Sequence, residues 1–350
     1  MDEKKKTVVL LVPGFPANEA DTTCIPFLQQ FCLAFIRVRP DVELKIISFQ
    51  YPALRGHYMW HGIPIYCAGG KSYIYNRPLV WLRVFMQLLK IRKENELVII
   101  NSFWMTECSL VGQWFARLFK IKQIAYVAGQ DALKTNQYFS FINLKKMEVI
   151  AMSESLKNTF YKSTGFKIQH IIPSGIDITK VKSTNEERTI DILGVGALTP
   201  LKNYTLFIEL INDLKKEKPE IKACIIGKGE QACLLKEKIQ AYNLENTIEL
   251  LGELPHDTVF SYMQKSKILL HTSGYEGQST VIMEALACGL TVVCFDVGRI
   301  HAEDKILVCQ NKDDMLNTLK NSLSSSLSHQ PLIMQTNDDM AKSFFKIYAI

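Results

Sequence analysis

The sequence has no C-x-x-C pair, no G-x-G-x-x-G fingerprint and no apolar run of the ~18 residues that a membrane-spanning helix needs. The first absence excludes a zinc framework. Nine cysteines are present (Cys24, Cys32, Cys67, Cys108, Cys224, Cys233, Cys288, Cys294 and Cys309). Their odd number and scatter fit buried, reduced thiols in a cytoplasmic protein better than a disulfide scaffold. The second absence weakens a dehydrogenase reading. The third points to a chain that is soluble or at most peripheral to a membrane. No D-x-D motif follows a predicted strand, so no metal is expected. No histidine falls between His61 and His170. Charge of one sign is not in large excess: 41 Lys and Arg stand against 35 Asp and Glu, a net +6. That permits contact with phosphates or lipid headgroups without demanding it, and no nucleic-acid partner is expected. Lys4–Lys6 precede the apolar run Val8–Val12, but Pro13-Gly14 stops it too early for a signal peptide, and it reads as a first buried strand.

What is present is an enzyme-like composition, 47% hydrophobic and 22% charged over 350 residues, long enough for two domains. Short apolar runs alternate with amphipathic segments. Strands are expected at Val8–Val12, Leu44–Phe49, Leu97–Asn101, Gln123–Val127 and Val149–Met152, separated by helices at Ile25–Phe35, Pro78–Arg92, Ser109–Phe119 and Ser153–Ser163. A second series runs from Ile190–Gly194 to Lys312–Ser324. Between them lie Pro173-Ser-Gly-Ile-Asp177 and a polar stretch, Lys180–Arg188, which read as a linker. The expected architecture is α/β: two tandem Rossmann-like domains with parallel sheets facing a cleft. The first covers residues 1–172 and the second 173–337, with 338–350 packing back on the first.

The most informative stretch is His271-Thr-Ser-Gly-Tyr-Glu276-Gly277-Gln278-Ser279-Thr280-Val-Ile-Met-Glu284-Ala-Leu-Ala-Cys-Gly289. It follows a strand and opens a helix. Gly277, Gln278, Ser279 and Thr280 fall at the helix start, where unpaired N–H groups and the macrodipole favour a diphosphate. Ser279 or Thr280 also suits an N-cap. Glu276 precedes the helix and Glu284 lies within it. Carboxylates accept hydrogen bonds from hydroxyls, so the pair suits a sugar on one side and a ribose on the other.

This stretch resembles the E-x7-E signature of retaining glycosyltransferases of the GT-B fold, the glycosyl transferases group 1 family. Glu276-Gly277, Glu284-Ala285 and Gly289 all match it. Pro173-Ser-Gly-Ile-Asp177 is similar to that family's P-N-G-I-D segment, Ile226-Gly-Lys-Gly-Glu230 to its I-G-x-G-P loop, and Leu250-Leu-Gly252 to its F-x-G element. The likeness covers about residues 170 to 300 in consistent order. It implies that Glu276 holds the donor sugar or supports catalysis and that Glu284 binds ribose hydroxyls. One departure stands out. Where the family has G-R-L and then K-G, this chain has Gly196-Ala197-Leu198 and then Lys202-Asn203. The lysine is kept, and the arginine that would share the diphosphate is Ala197.

The first half is less explicit. Gly14, after the first strand, either lets the backbone approach a substrate or makes a plain turn. Ala125–Asp131 resembles the family's strand-end H-G-x-D region with Ala128 in place of the histidine. Asp131 then either orients the acceptor or serves as its base, or it caps a helix. Asn101 and Glu107 are weaker candidates, and His57 and His61 read as loop residues. Two readings of Pro78–Lys93 stay open: a helix in a membrane interface, or an ordinary core helix.

Together these features lead to the expectation of a retaining glycosyltransferase. Glu276 and Asp131 are its catalytic candidates, and Gly14, Lys202, Gly277, Gln278, Ser279, Thr280 and Glu284 its substrate-binding ones. A nucleotide-diphosphate sugar is the donor substrate, with no cofactor and no metal. The acceptor is a glycan, lipid-linked or other hydroxyl compound, in cell-surface polysaccharide biosynthesis. The location is the cytoplasm, with peripheral contact at the inner membrane face. Two alternatives remain: a non-hydrolysing nucleotide-sugar epimerase, and an inert sugar-nucleotide-binding protein.

Overall fold

Val8 through Val12 are each fully buried, which marks a strand covered on both faces rather than one. The same continuous burial recurs in Ile192–Leu193, Ile268–Leu270 and Val292–Val293. Such runs belong to parallel sheets flanked by helices, and that is the arrangement found. The computed structural model describes residues 5–71, 73–181, 187–298 and 305–350. It divides into two units, Met1–Gly175 with Asn337–Ile350, and Ile176–Thr336. Part of the polar stretch read as a linker, residues 182–186, lies outside the described residues.

The first unit runs β1 (Lys6–Gly14), α1 (Pro26–Val38), β2 (Glu43–Tyr51), β3 (Gly56–Trp60), β4 (Ile63–Cys67), α2 (Arg77–Glu94), β5 (Glu96–Phe103), α3 (Glu107–Phe119), β6 (Lys122–Val127), β7 (Glu148–Ala151), α4 (Glu154–Thr164) and β8 (His170–Ile171). Its eight-stranded sheet has the order β3-β4-β2-β1-β5-β6-β7-β8. Every pairing is parallel except β3 with β4, which form an antiparallel hairpin. His57 therefore lies in a strand, not a loop. His61 and Gly62 make the two-residue turn with φ of 46° and 79°. Left-handed values at both positions match the right-handed twist of the flanking strands.

Helix α2 buries Val80, Val84, Leu88 and Ile91 in the core beneath the sheet and packs against α3. This is the core-helix arrangement. Its outer row, Leu79, Leu82 and Met86, is exposed. Among the described residues no helix is long and apolar enough to cross a membrane.

The second unit runs β9 (Ile190–Val195), α5 (Tyr204–Lys215), β10 (Ala223–Ile226), α6 (Ala232–Ala241), β11 (Ile248–Gly252), α7 (His256–Gln264), β12 (Ser266–His271), α8 (Thr280–Ala287), β13 (Thr291–Phe295), β14 (Ile306–Cys309) and α9 (Lys312–Ser324). Its six strands are all parallel, in the order β11-β10-β9-β12-β13-β14.

The last helix, α10 (Asn337–Tyr348), belongs to the first unit and packs on α1. Phe344 is fully buried among Phe31, Phe103 and Tyr126, with ring centroids 4.9, 6.0 and 5.3 Å away. Aromatic burial of this extent makes the C-terminal segment part of the first unit's core.

Candidate functional site

In the second unit the strand order runs outward in both directions from β9 and β12, the first and fourth strands of the series. The crevice beyond the carboxyl ends of two such strands is where open α/β sheets bind ligands. The loop after β9 carries Lys202, and the loop after β12 carries Glu276. The two loops are tied together: Thr272 Oγ1 donates to the Lys202 carbonyl at 2.8 Å, and the Gly274 amide to the Leu201 carbonyl at 3.0 Å. The floor is closed by backbone packing. Gly227 has φ of 151°, and a Cβ there would stand 1.9 Å from the Gly196 carbonyl oxygen. That close approach explains the first glycine of Gly227-Lys228-Gly229. Gly298, with φ of 69°, brings the loop after β13 against Glu276; a Cβ there would lie 3.1 Å from the Glu276 Cβ.

Lys202 Nζ makes an ion pair with Glu276 Oε1, and both side chains are mostly buried. His271, the last residue of β12, brings Nε2 to 3.2 Å from the same carboxylate oxygen and 3.1 Å from Ser279 Oγ. Its Nδ1 is buried without a partner among the described residues. Burial alone would raise the Glu276 carboxyl. The His271 hydrogen bond and the Lys202 charge outweigh it and bring the group down to about 2. Glu276 is thus a fixed carboxylate at any ordinary pH. Ser279 holds the N-cap position of α8 but does not cap it, because its hydroxyl turns to His271. Thr280 opens the helix. Gln278 Nε2 lies 3.0 Å from the Met283 sulfur.

One turn further on, Glu284 Oε1 lies 2.8 Å from His256 Nε2. His256 opens α7, and its Nδ1 faces Lys180 Nζ at 3.4 Å. A lysine ammonium only donates, so Nδ1 accepts and Nε2 carries the proton given to Glu284. Lys180 is held in turn by Asp257 at 2.6 Å. The chain Lys180–His256–Glu284 fixes both the carboxylate and the histidine tautomer. Sequence reasoning did not single out His256 or His271. His271 stands at the head of the informative stretch and was within reach. His256 lies 28 positions before Glu284, and only the fold joins them.

The first unit has its own cavity beyond the ends of β5 and β6. It measures about 510 Å³ and is lined by Trp104, Gln130, Asp131, Asn136, Gln137 and Tyr138, among others. Trp104 takes φ of 67°, a left-handed conformation that a bulky residue rarely holds. Asp131 is buried with both oxygens engaged. Oδ2 accepts from the Met105 amide at 2.8 Å, and Oδ1 from the Gly129 and Ala128 amides at 2.7 and 3.2 Å. Burial raises its carboxyl to about 6 against the lowering effect of these amides. The carboxylate clamps the strand-end turn.

Gly14 has an ordinary φ and packs against Tyr51, whose Cβ would stand 3.3 Å from an added Cβ. Its smallness serves the contact between β1 and β2. Asn101 donates to the buried Tyr348 hydroxyl at 2.8 Å, and Glu107 accepts from Trp81 Nε1 at 2.7 Å, so both hold the core together.

Residues 176–324, nearly all of the second unit, match the family model described as glycosyl transferases group 1. This unit belongs to that family. Among curated relatives, the phosphatidylinositol N-acetylglucosaminyltransferase gpi3 subunit of Schizosaccharomyces pombe is 26% identical over 212 residues, covering 58% of this chain and 46% of its own length. The amylovoran biosynthesis glycosyltransferase AmsD of Erwinia amylovora is 24% identical over 262 residues, 69% of this chain and 71% of its own. The chain spans less than half the length of the phosphatidylinositol N-acetylglucosaminyltransferase relatives it matches. Among solved structures, Anabaena Alr3699/HepE in complex with UDP and glucose superposes with a TM-score of 0.69 at 16% identity, over 99% of this chain and 95% of that one. WaaG, a glycosyltransferase involved in lipopolysaccharide biosynthesis, superposes with a TM-score of 0.68 at 14% identity over 98% of this chain and 95% of its own, so the two-unit GT-B fold is shared with a glycosyltransferase. Lys202, Glu276 and Glu284 all lie within the matched residues. Ala197, in the loop after β9, is exposed.

Proposed function

We propose that the protein is a retaining glycosyltransferase that takes its sugar from a nucleotide diphosphate donor bound to the second unit. The observation that carries this reading is the convergence of Lys202, His271 and Glu276 at the start of α8. The Lys202 ammonium and the helix N-terminus suit the developing diphosphate anion. Glu276, held ionised by Lys202 and His271, suits the oxocarbenium-like sugar. In the free protein Lys202 neutralises Glu276. A bound diphosphate competes for that ammonium, so donor binding and the freeing of the carboxylate are coupled. Glu284, aimed by His256, suits the ribose hydroxyls.

The acceptor is a hydroxyl compound: a glycan or a lipid-linked sugar. AmsD is named an amylovoran biosynthesis glycosyltransferase, and the gpi3 relative a phosphatidylinositol N-acetylglucosaminyltransferase subunit, which supports acceptors of these classes. In the first unit the cavity beside Trp104 and Tyr138 suits a sugar, since an aromatic face and side-chain amides recognise its two kinds of surface. Asp131 shapes that cavity. The site of action is the cytoplasm, at or near the inner face of a membrane.

A thermal-shift screen of UDP-, GDP- and ADP-sugars tests the donor class. At a free concentration of 100 times Kd a true donor stabilises by about 2.7 kcal/mol. If no nucleotide sugar shifts the transition, the reading fails.

A further inference from the structure

The first unit holds a second cavity, of about 330 Å³, which the reading above does not use. It lies between the β3–β4 hairpin and α2. Arg55 and His57 reach it from the hairpin side, Arg83 and Lys90 from α2. None of its lining residues is a carboxylate. Arg83 is fixed in place, with Nη1 donating to the Ala68 carbonyl at 2.9 Å. Arg55 and Lys90 make no ion pair among the described residues. Gln87 stands one turn beyond Arg83 on the helix and Lys90 one turn beyond Gln87, so the three side chains share one face.

The lining also includes Gln87, whose Nε2 is buried with no hydrogen-bond acceptor among the described residues. A buried amide donor left unpaired costs free energy that a ligand oxygen would return. Two guanidinium groups, an ammonium and an unpaired N–H donor around one concavity ask for a ligand with several anionic oxygens. Tyr66 also lines the wall.

We propose that this cavity binds a phosphate or diphosphate group, independently of the nucleotide site in the second unit. The chemistry is shared by a phosphorylated soluble glycan and by the headgroup of a phospholipid or a lipid-linked sugar. The exposed Leu79 and Leu82 beside it on α2, with the exposed Met86 in its lining, make the lipid source worth a separate arm of the test.

The experiment uses the full chain with Lys202→Ala, which weakens competition from the second unit. Inorganic pyrophosphate is titrated by calorimetry into this protein, into the same protein with Arg55→Glu and Lys90→Glu, and into a control with Lys145→Glu and Lys162→Glu. The control carries the same net charge at sites outside the cavity. In parallel, the three proteins are sedimented with phosphatidylcholine vesicles with and without phosphatidic acid. The expected result is that the cavity pair loses about tenfold or more in affinity for pyrophosphate, for phosphatidic acid vesicles, or for both, while the control does not. Loss with pyrophosphate alone assigns a soluble phosphate, and loss with vesicles assigns a lipid phosphate. If the cavity pair and the control behave alike in both arms, the proposal is wrong. Circular dichroism of each variant separates loss of binding from loss of fold.

Discussion

His256 Nε2 donates to Glu284 Oε1 at 2.8 Å while its Nδ1 accepts from Lys180, so the α8 carboxylate is aimed by a histidine from a different helix. The arrangement makes His256 a positioning residue. His256→Ala is expected to leave the fold intact and to weaken binding of the free nucleotide diphosphate by about tenfold, the lower end of what a hydrogen bond to a charged group contributes. His256→Gln, whose amide can still donate, should recover part of the loss. Equal affinity of all three proteins in calorimetry would remove His256 from the account.

Glu276→Gln should reduce turnover far more than nucleotide affinity, because the carboxylate faces the sugar in this reading. It should also change acid stability in a defined window. The folded group lies near 2, below its ordinary 4.5. A depressed carboxylate contributes stability that is fully present above the unfolded value and is lost as pH falls through the folded one. The stability advantage of the wild type over Glu276→Gln should therefore be constant above about pH 4.5 and shrink between 4.5 and about 2. A difference that does not change with pH would contradict the ion pair.

Asp131→Ala separates a clamp from a catalytic base. The substitution leaves the Met105, Ala128 and Gly129 amides without their acceptor, and each buried N–H left unpaired costs about 1–3 kcal/mol. The clamp predicts a large loss of first-unit stability. A base predicts lost turnover with unchanged melting.

Much of the second unit was legible because its signals are local. The loops bearing Lys202, Gly227 and Glu276 each follow a short apolar strand, and the helix that starts at Thr280 shows in the spacing of Ile282, Ala285 and Leu286. Contacts across the sheet were not legible. Ser279 reads as a cap, yet its hydroxyl belongs to His271, which no spacing rule pairs with it. Lys180 reads as a linker charge and proves to hold His256. In the first unit the β3–β4 hairpin escaped notice because its turn is His61-Gly62, without the Asn-Gly or Asp-Gly pair that usually marks such turns. Gly14 carries the same sequence signal whether it faces a substrate or a neighbouring strand, and its contact with Tyr51 shows only in the fold.

The C-terminal helix should be needed for the first unit to stay folded. Phe344→Ala empties a site among Phe31, Phe103 and Tyr126, and such truncations cost about 3–5 kcal/mol. All 4 tryptophans (Trp60, Trp81, Trp104 and Trp114) lie in the first unit, so their fluorescence reports that unit alone. The urea midpoint by tryptophan fluorescence should fall markedly. An unchanged midpoint would mean that α10 is dispensable.

The central claim is that the cluster of Lys202, His271 and Glu276 transfers a sugar from a nucleotide diphosphate with retention. The direct measurement is proton NMR of the reaction with the donor that the screen identifies, reading the anomeric coupling of the product as it forms. The account predicts an α-linked product from an α-linked donor, formed only when an acceptor is present and abolished in Glu276→Gln. An inverted product, or an epimerised nucleotide sugar released without any acceptor, would contradict it.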